Sequence, residues 1–150
     1  MFILVVQTQK GGSGKTTLTG HLAVQAEMSG AGPVGVLDAD PQQNLLEWAQ
    51  ERAAPGPVVE PTSLLGLERD VRRMRDRGIR LLVIDSPPGL AAINRSTIAI
   101  SDLVLIPVKP SPHDLRSAGK TVGLVDAQGK PLVFVVNSAS PWLGSTRWRM

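Results

Sequence analysis

Eight consecutive residues decide the fold class of this chain: Lys10-Gly11-Gly12-Ser13-Gly14-Lys15-Thr16-Thr17. They follow a short apolar run, residues 2–6, and precede a segment with helical spacing, which is where a phosphate-binding loop belongs. Three glycines allow the tight turn that points successive N–H groups at one anion. Lys15 supplies positive charge for the β- and γ-phosphates, and the Thr16 hydroxyl suits Mg²⁺. The stretch therefore predicts a site for a triphosphate and Mg²⁺.

One lysine of this loop is unexpected. The usual pattern G-x-x-x-x-G-K-[ST] has a glycine at position 9, where this chain has Gln9, and Lys10 stands beside it. A lysine at each end of so short a loop is more positive charge than one triphosphate requires.

Composition narrows the class of protein. The chain has 150 residues, 42% hydrophobic and 19% charged, which predicts one globular domain over residues 1–150. The absence of cysteine excludes a disulfide framework, a thiolate metal site and an iron–sulfur cluster. No apolar stretch reaches the roughly 18 residues that a membrane span needs, so we expect a cytoplasmic protein that does not contact a membrane. The net charge of +3 mildly favours binding to polyanions, but ordinary surface charge explains this value equally well.

Strand-like and helix-like segments alternate along the chain. This alternation, with near-continuous apolar strands, predicts a mostly parallel sheet covered by helices on both faces. With the glycine loop after the first strand, it indicates a three-layer α/β fold of the P-loop NTPase type. Ligands bind such sheets at the carboxyl ends of the strands. The predicted strands are 2–7, 33–38, 80–85, 103–108 and 132–137, with a short edge strand at 58–59; the predicted helices are 15–29, one starting at Pro41, 64–74, 90–100 and 113–127, the last with Leu115 facing inward.

Carboxylates end two of the predicted strands. Asp38 and Asp40 follow the second strand, and Asp85 ends the third clear strand. A magnesium–nucleotide site needs one carboxylate for the metal shell and another to position the attacking water. The structural alternative is that Asp40 caps the helix starting at Pro41, which leaves Asp38 unexplained.

Together these residues resemble the ParA/MinD superfamily of deviant Walker A ATPases, and ParA-type partition proteins in particular. The resemblance covers residues 2 to about 137. The segments that carry it are the loop 10–17, Asp38-Ala39-Asp40-Pro41-Gln42, Ile84-Asp85-Ser86-Pro87-Pro88-Gly89, and residues 101–115.

The resemblance implies specific roles. Lys15 binds the phosphates, and Lys10 is the signature lysine, which reaches the nucleotide of a partner subunit in a sandwich dimer. Asp40 positions the attacking water. The residues implied to bind ATP are Lys10, Gly11, Gly12, Ser13, Gly14, Lys15, Thr16 and Thr17; those implied in the Mg²⁺ shell are Thr16, Asp38 and Asp85.

Asn137 ends the last predicted strand, where some members of the superfamily use an amide to read the adenine edge. A turn residue before Ser138 and Pro141 explains it equally well. A cluster of basic residues also has two interpretations. It could contact the phosphate backbone of DNA, but the acidic residues within it favour a solvent-exposed helix face; the cluster consists of Arg69, Arg72 and Arg73.

The resemblance implies a slow ATPase that dimerises on ATP, binds DNA without sequence preference and is stimulated by a ParB-like partner in plasmid or chromosome partition. Members of the superfamily continue with another strand and helices, so we expect a C-terminally truncated chain in which residues 138–150 form an irregular or altered terminus. The alternative from another class is an inactive nucleotide- or protein-binding module. A MinD-like positioning regulator ranks lower because residues 138–150 show no amphipathic helix.

Overall fold

The computed structural model describes residues 1–89 and 91–138, with the side chain of residue 91 excepted. Strands and helices alternate throughout this part of the chain. The strands are β1 (Phe2–Val6), β2 (Val34–Asp38), β3 (Val58–Pro61), β4 (Leu81–Asp85), β5 (Leu103–Val108) and β6 (Leu132–Val136). The helices are α1 (Lys15–Met28), α2 (Asn44–Gln50), α3 (Leu67–Asp76), α4 (Ala91–Ile100) and α5 (Pro112–Asp126).

The strands form one parallel sheet in the order β3-β2-β4-β1-β5-β6. Side chains alternate across it, as the pleat requires. Ile3 and Val5 of β1 pack on the face covered by α3, while Val6 packs with Ala23 of α1 on the other face. A third cluster lies between α4, α5 and the strands β5 and β6. The predicted three-layer α/β fold is confirmed.

The strand order positions the site. Because β1 lies between β4 and β5, the loop that follows β1 is flanked by the ends of other strands. The register pairs Val6 with Asp85, and Asp85 in turn with Asp38 on β2. Two carboxylates predicted from separate motifs therefore stand side by side at the carboxyl edge of the sheet, next to the glycine loop.

Two local predictions were wrong. The second helix begins at Asn44 and not at Pro41, because residues 40–43 form a turn in which Gln43 N–H donates to the Asp40 carbonyl. Leu115 is 60% exposed and does not face inward, because the buried face of α5 is formed by Ala118, Thr121 and Val125.

The other predicted strands and helices are present, with ends shifted by a few residues at most. Within residues 1–89 and 91–138, no helix is long and apolar enough to cross a membrane. The irregular terminus expected at 138–150 falls, beyond Ser138, outside the described residues.

Candidate nucleotide site

The glycine loop turns sharply between β1 and α1. Gly12 and Gly14 have φ angles of +74° and +85°, a left-handed conformation that glycine adopts without steric cost. Gly14 is the N-cap of α1, and its carbonyl accepts the first helical hydrogen bond from Leu18 N–H at 2.9 Å. The N–H groups of the first helical turn have no partner within the helix and point out of its N-terminus, where a phosphate would lie.

Gly14 is expected to be the least replaceable glycine of this loop. An alanine there must adopt a left-handed φ, and its β-carbon would collide with the Asn137 amide. We expect Gly14→Ala to lower the free energy of unfolding by roughly 2–4 kcal/mol. Gly11→Ala is the matched control, because a β-carbon at Gly11 meets nothing within 4 Å. Urea unfolding of both variants measures the difference, and equal losses would show that the close approach of Asn137 is unimportant.

Lys15 begins α1 and is 7% exposed. Burial lowers the pKa of its ammonium group, while the nearby charges of Asp85 and Asp40 raise it. A buried ammonium group near carboxylates, at the first residue of a helix that follows a glycine loop, is the arrangement expected of a phosphate-binding lysine. The lysine at the end of the motif therefore lies beside the acidic part of the site, and its binding of phosphate stays a prediction.

Asp85 is 1% exposed at the end of β4. Thr19 Oγ1 donates to its Oδ1 at 3.4 Å, and its Oδ2 has no hydrogen-bond partner among the described residues. Burial raises the pKa of Asp85 to about 6; the Asp38 charge adds to the rise, and the Thr16 hydroxyl and Lys15 oppose it. A buried carboxylate with a free oxygen beside a threonine hydroxyl matches the hard oxygen ligands that Mg²⁺ prefers.

Asp38, and not Asp40, caps the helix that follows β2. Its Oδ2 accepts from the N–H groups of Leu45 and Leu46 at 3.2 and 3.3 Å, so it caps α2, and its Oδ1 accepts from Asp40 N–H at 3.0 Å. Burial raises the pKa of Asp38, and these backbone bonds oppose the rise. The side chain thus connects β2 to the loop and helix that follow it, and its part in a Mg²⁺ shell stays a prediction.

Asp40 is half-buried, and its Oδ1 accepts from Gln42 N–H at 3.0 Å. The Asp40 charge raises the pKa of both Lys15 and Asp85, so Asp40 lies on the same side of the sheet edge as the phosphate-binding loop. A carboxylate in this position can orient a water molecule toward a bound phosphate.

Lys10 forms an ion pair with Asp114, at the start of α5. Lys10 is 47% exposed and Asp114 only 5% exposed, and the Lys10 ammonium holds the pKa of Asp114 below its usual range. Asp114 Oδ2 also accepts from Lys109 N–H at 3.1 Å. Sequence reasoning missed Asp114 as a site residue. A signal was present, because Ser111 is a typical helix-cap residue; its Oγ accepts from Asp114 N–H.

Asn137 follows β6 and contacts the glycine loop. Its Nδ2 donates to the Ser13 carbonyl at 3.0 Å, and its Oδ1 accepts from Ser138 N–H. The amide thus lies against the phosphate-binding loop, and adenine recognition by it stays a prediction.

Two of the four arginines of α3, Arg69 and Arg73, are ion-paired, and so is Arg77 just after the helix; Arg72 has no ion pair among the described residues. Arg69 and Arg73 both contact Asp70, and Arg73 and Arg77 both contact Glu60. This pairing favours the solvent-exposed helix face over contact with the phosphate backbone of DNA.

The residues present fit a magnesium ion held mainly by the nucleotide. The described residues contain no group of three or more His, Cys, Asp or Glu side chains that could hold a metal by themselves. Mg²⁺ commonly takes one or two carboxylates together with phosphate oxygens and water. Thr16 and Asp85, with Asp38 nearby, supply such a partial set.

A glycine loop at the end of a central parallel strand, followed by a helix with a buried lysine and flanked by carboxylates, defines a P-loop nucleotide-binding protein. Residues 4–146 match the family model of the CobQ/CobB/MinD/ParA nucleotide binding domain. The chain belongs to this family, and so to the ParA/MinD superfamily that the sequence resembles.

Two curated relatives illustrate the match. The protein "Maintenance of carboxysome distribution protein A" of Halothiobacillus neapolitanus is 32% identical over 161 aligned positions, which cover 97% of this chain and 70% of that protein. "Protein ParA" of Rhizobium radiobacter is 27% identical over 129 positions, which cover 83% of this chain and 56% of that protein. The chain therefore corresponds to part of each relative.

Solved structures show the same fold. MinD of Aquifex aeolicus has a TM-score of 0.75 at 23% identity, covering 95% of this chain and 71% of that one. Cobyrinic acid a,c-diamide synthase of Mycobacterium smegmatis, solved with ADP and magnesium, has a TM-score of 0.71 at 20% identity, covering 89% and 72%.

Proposed function

We propose that this chain is a ParA-like ATPase that binds and hydrolyses ATP with Mg²⁺ in a nucleotide sandwich dimer. The observation that carries the proposal is the meeting of Lys15, Asp85 and Asp40 at one edge of the sheet, beside the glycine loop. Each residue came from a different sequence motif, and the strand register brings the motifs together.

The chain's own residues divide the work. The loop N–H groups and Lys15 bind the β- and γ-phosphates, and Asn137 supports the loop through the Ser13 carbonyl. Thr16 and Asp85 would hold Mg²⁺, which when bound neutralises charge on the phosphate oxygens. Asp40 orients the attacking water toward the γ-phosphate.

Lys10 serves the nucleotide of the partner subunit. In the single chain its ammonium is paired with Asp114, and it is half exposed, so it is reachable from outside. A lysine that arrives only when two loaded subunits meet would add positive charge to the transition state in the manner of an arginine finger. Dimerisation would then require Lys10 to exchange Asp114 for phosphate.

The test is the size of the protein in solution with and without ATP and Mg²⁺. We expect the wild type to double in mass with ATP, measured by light scattering after gel filtration. Lys10→Ala is expected to bind ATP within about threefold of the wild type, yet to lose dimer formation and most hydrolysis, because its charge acts on the partner.

Three results would count against the proposed mechanism. A wild type that stays monomeric with ATP and Mg²⁺ would contradict the sandwich dimer. ATP binding by Lys10→Ala that is as weak as that of Lys15→Ala would place both lysines on the chain's own nucleotide. Equal hydrolysis by wild type and Asp40→Ala would instead indicate a binding module without turnover.

We propose a positioning role in which the ATP-bound dimer binds DNA without sequence preference and a ParB-like protein stimulates hydrolysis. Support comes from similarity to a protein named ParA and to a protein named for maintenance of carboxysome distribution. The cargo is accordingly plasmid or chromosomal DNA, or another cellular body. Non-specific DNA binding is expected to weaken steeply as salt rises, because phosphate contacts release counterions.

A further inference from the structure

A glutamine is fully buried beneath the nucleotide site without any partner for its amide. Gln7 directly follows β1 and is 0% exposed, and neither its Nε2 nor its Oε1 has a hydrogen-bond partner among the described residues. A buried amide in this state costs stability, because it has given up its hydrogen bonds to water. No motif of the nucleotide site includes Gln7, so its presence there needs a reason.

The surroundings of Gln7 are polar. Continuing the register of β1 and β4 places Gln7 beside Ser86, which follows Asp85, and Ser86 N–H donates to the Val6 carbonyl. By the alternation of the pleat, Gln7 faces the same side as Ile3 and Val5, the side that carries α3 and α4. Ser86 Oγ lies 3.3 Å from Thr97 Oγ1 of α4, which shows that α4 covers this spot.

A second amide on α4 is also incomplete. Asn94 is 1% exposed, and its Oδ1 has no partner among the described residues. Thr97 Oγ1 donates to the Asn94 carbonyl at 3.0 Å, so Asn94 lies one turn before the Ser86 contact, toward the loop that follows β4. The unpartnered atoms are thus one amide nitrogen and two amide oxygens, contributed by two primary amides on facing elements.

Primary amides complement each other. Gln7 Nε2 can donate to Asn94 Oδ1 while Asn94 Nδ2 donates to Gln7 Oε1, and this reciprocal pair would satisfy all three unpartnered atoms at once. We propose that Gln7 and Asn94 form this pair when ATP is bound, so that Gln7 is a positioning residue that seats α4 against the end of β1. The proposal rests on the proposed function, because ATP supplies the change.

The link between ATP and α4 is short. Asp85 would hold Mg²⁺. In the sequence, only residues 86–90 lie between Asp85 and the start of α4. Gly89 has a φ angle of +70°, so this connection already turns sharply before α4. A γ-phosphate that draws this connection toward the glycine loop would move the first turn of α4 along β1. We assign the made amide pair to the ATP-bound protein and the unmade pair to the ATP-free protein.

The test uses the full chain with apolar replacements of similar volume: Gln7→Met, Asn94→Leu and the double variant. Without nucleotide, each single variant is expected to melt at a higher temperature than the wild type, because it removes an unpartnered buried group. Each is also expected to bind ATP with Mg²⁺ about tenfold more weakly, with ADP affinity unchanged. The double variant should be no weaker than either single variant, because the two amides act as one pair.

Thr121→Val is the matched control. Thr121 is 0% exposed on α5, and its Oγ1 likewise has no partner among the described residues. Its replacement should raise the melting temperature and leave ATP affinity unchanged. If Gln7→Met does not fold, the melting temperature and ATP affinity of Asn94→Leu are compared with those of Thr121→Val instead.

The outcomes are distinct. Wild-type ATP affinity in both single variants, additive losses in the double variant, or equal losses for ATP and ADP would each overturn the amide pair. Variants that melt lower without nucleotide would show that the amides are already satisfied, for instance by bound water, and would also overturn it. A wild type that binds no ATP would refute the proposed function itself, and this inference with it.

Discussion

Lys15→Ala is expected to lower ATP affinity by about a hundredfold, the largest effect on binding of any single change in the loop. The lysine is 7% exposed, so its ammonium would meet the phosphates in a site largely screened from water. Charge-assisted hydrogen bonds of this kind contribute roughly 1.5–3 kcal/mol. The variant also leaves Asp85 and Asp40 without their counter-charge, which increases their repulsion of a polyanion. Isothermal titration with ATP and Mg²⁺ measures the loss.

Lys120→Ala is a suitable control, because Lys120 is an exposed lysine on α5. It removes the same charge from the chain and should leave ATP affinity within about twofold of the wild type. Comparable losses in both variants would mean that net charge, and not the position of Lys15, determines binding.

Asp85→Asn is expected to separate stability from binding. The carboxylate is 1% exposed and lies beside Asp38, so its negative charge destabilises the nucleotide-free protein. An uncharged amide of the same shape should therefore raise the free energy of unfolding at neutral pH by roughly 3 kcal/mol. The same change should remove the gain in ATP affinity that Mg²⁺ provides, because the metal loses its buried carboxylate.

The stability effect has a defined pH dependence. The ordinary pKa of 3.8 applies to Asp85 in the unfolded chain, and its pKa in the folded chain is about 6. Between these values the folded state holds the proton more tightly, so this group's contribution to stability falls as pH rises through the window. The contribution is greatest below the lower pKa and is lost above the higher one. The stability advantage of Asp85→Asn over the wild type should accordingly increase as the pH rises from about 4 to about 6.

Urea unfolding at several pH values measures this difference, and Asp126→Asn on α5 controls for the loss of one exposed carboxylate. ATP titrations with and without EDTA measure the second effect. We expect EDTA to weaken binding by the wild type and to change the variant little. An Asp85→Asn protein that is less stable than the wild type at pH 7.5 would contradict the destabilising role assigned to the charge.

Local residue patterns determined much of the site. The glycine loop, its lysine and the strand-ending aspartates were readable because each depends on a few neighbouring residues and on strand–turn–helix order. The β5 strand was predicted with its observed bounds for the same reason, since it is an apolar run between turn signals. The start of α2 was misplaced because Pro41 suits a turn as well as a first helical position.

The sequence by itself determined that this chain has a P-loop α/β fold, and it predicts a phosphate-binding lysine and carboxylates at the strand ends, because these follow from local chemistry and periodicity. The tertiary structure alone decided what those side chains contact. Asp38 caps α2, Lys10 pairs with Asp114, which lies 104 residues away, and Gln7 lies unpartnered beneath α4. Such contacts depend on the strand order that places β1 between β4 and β5, and no short stretch of sequence encodes that order.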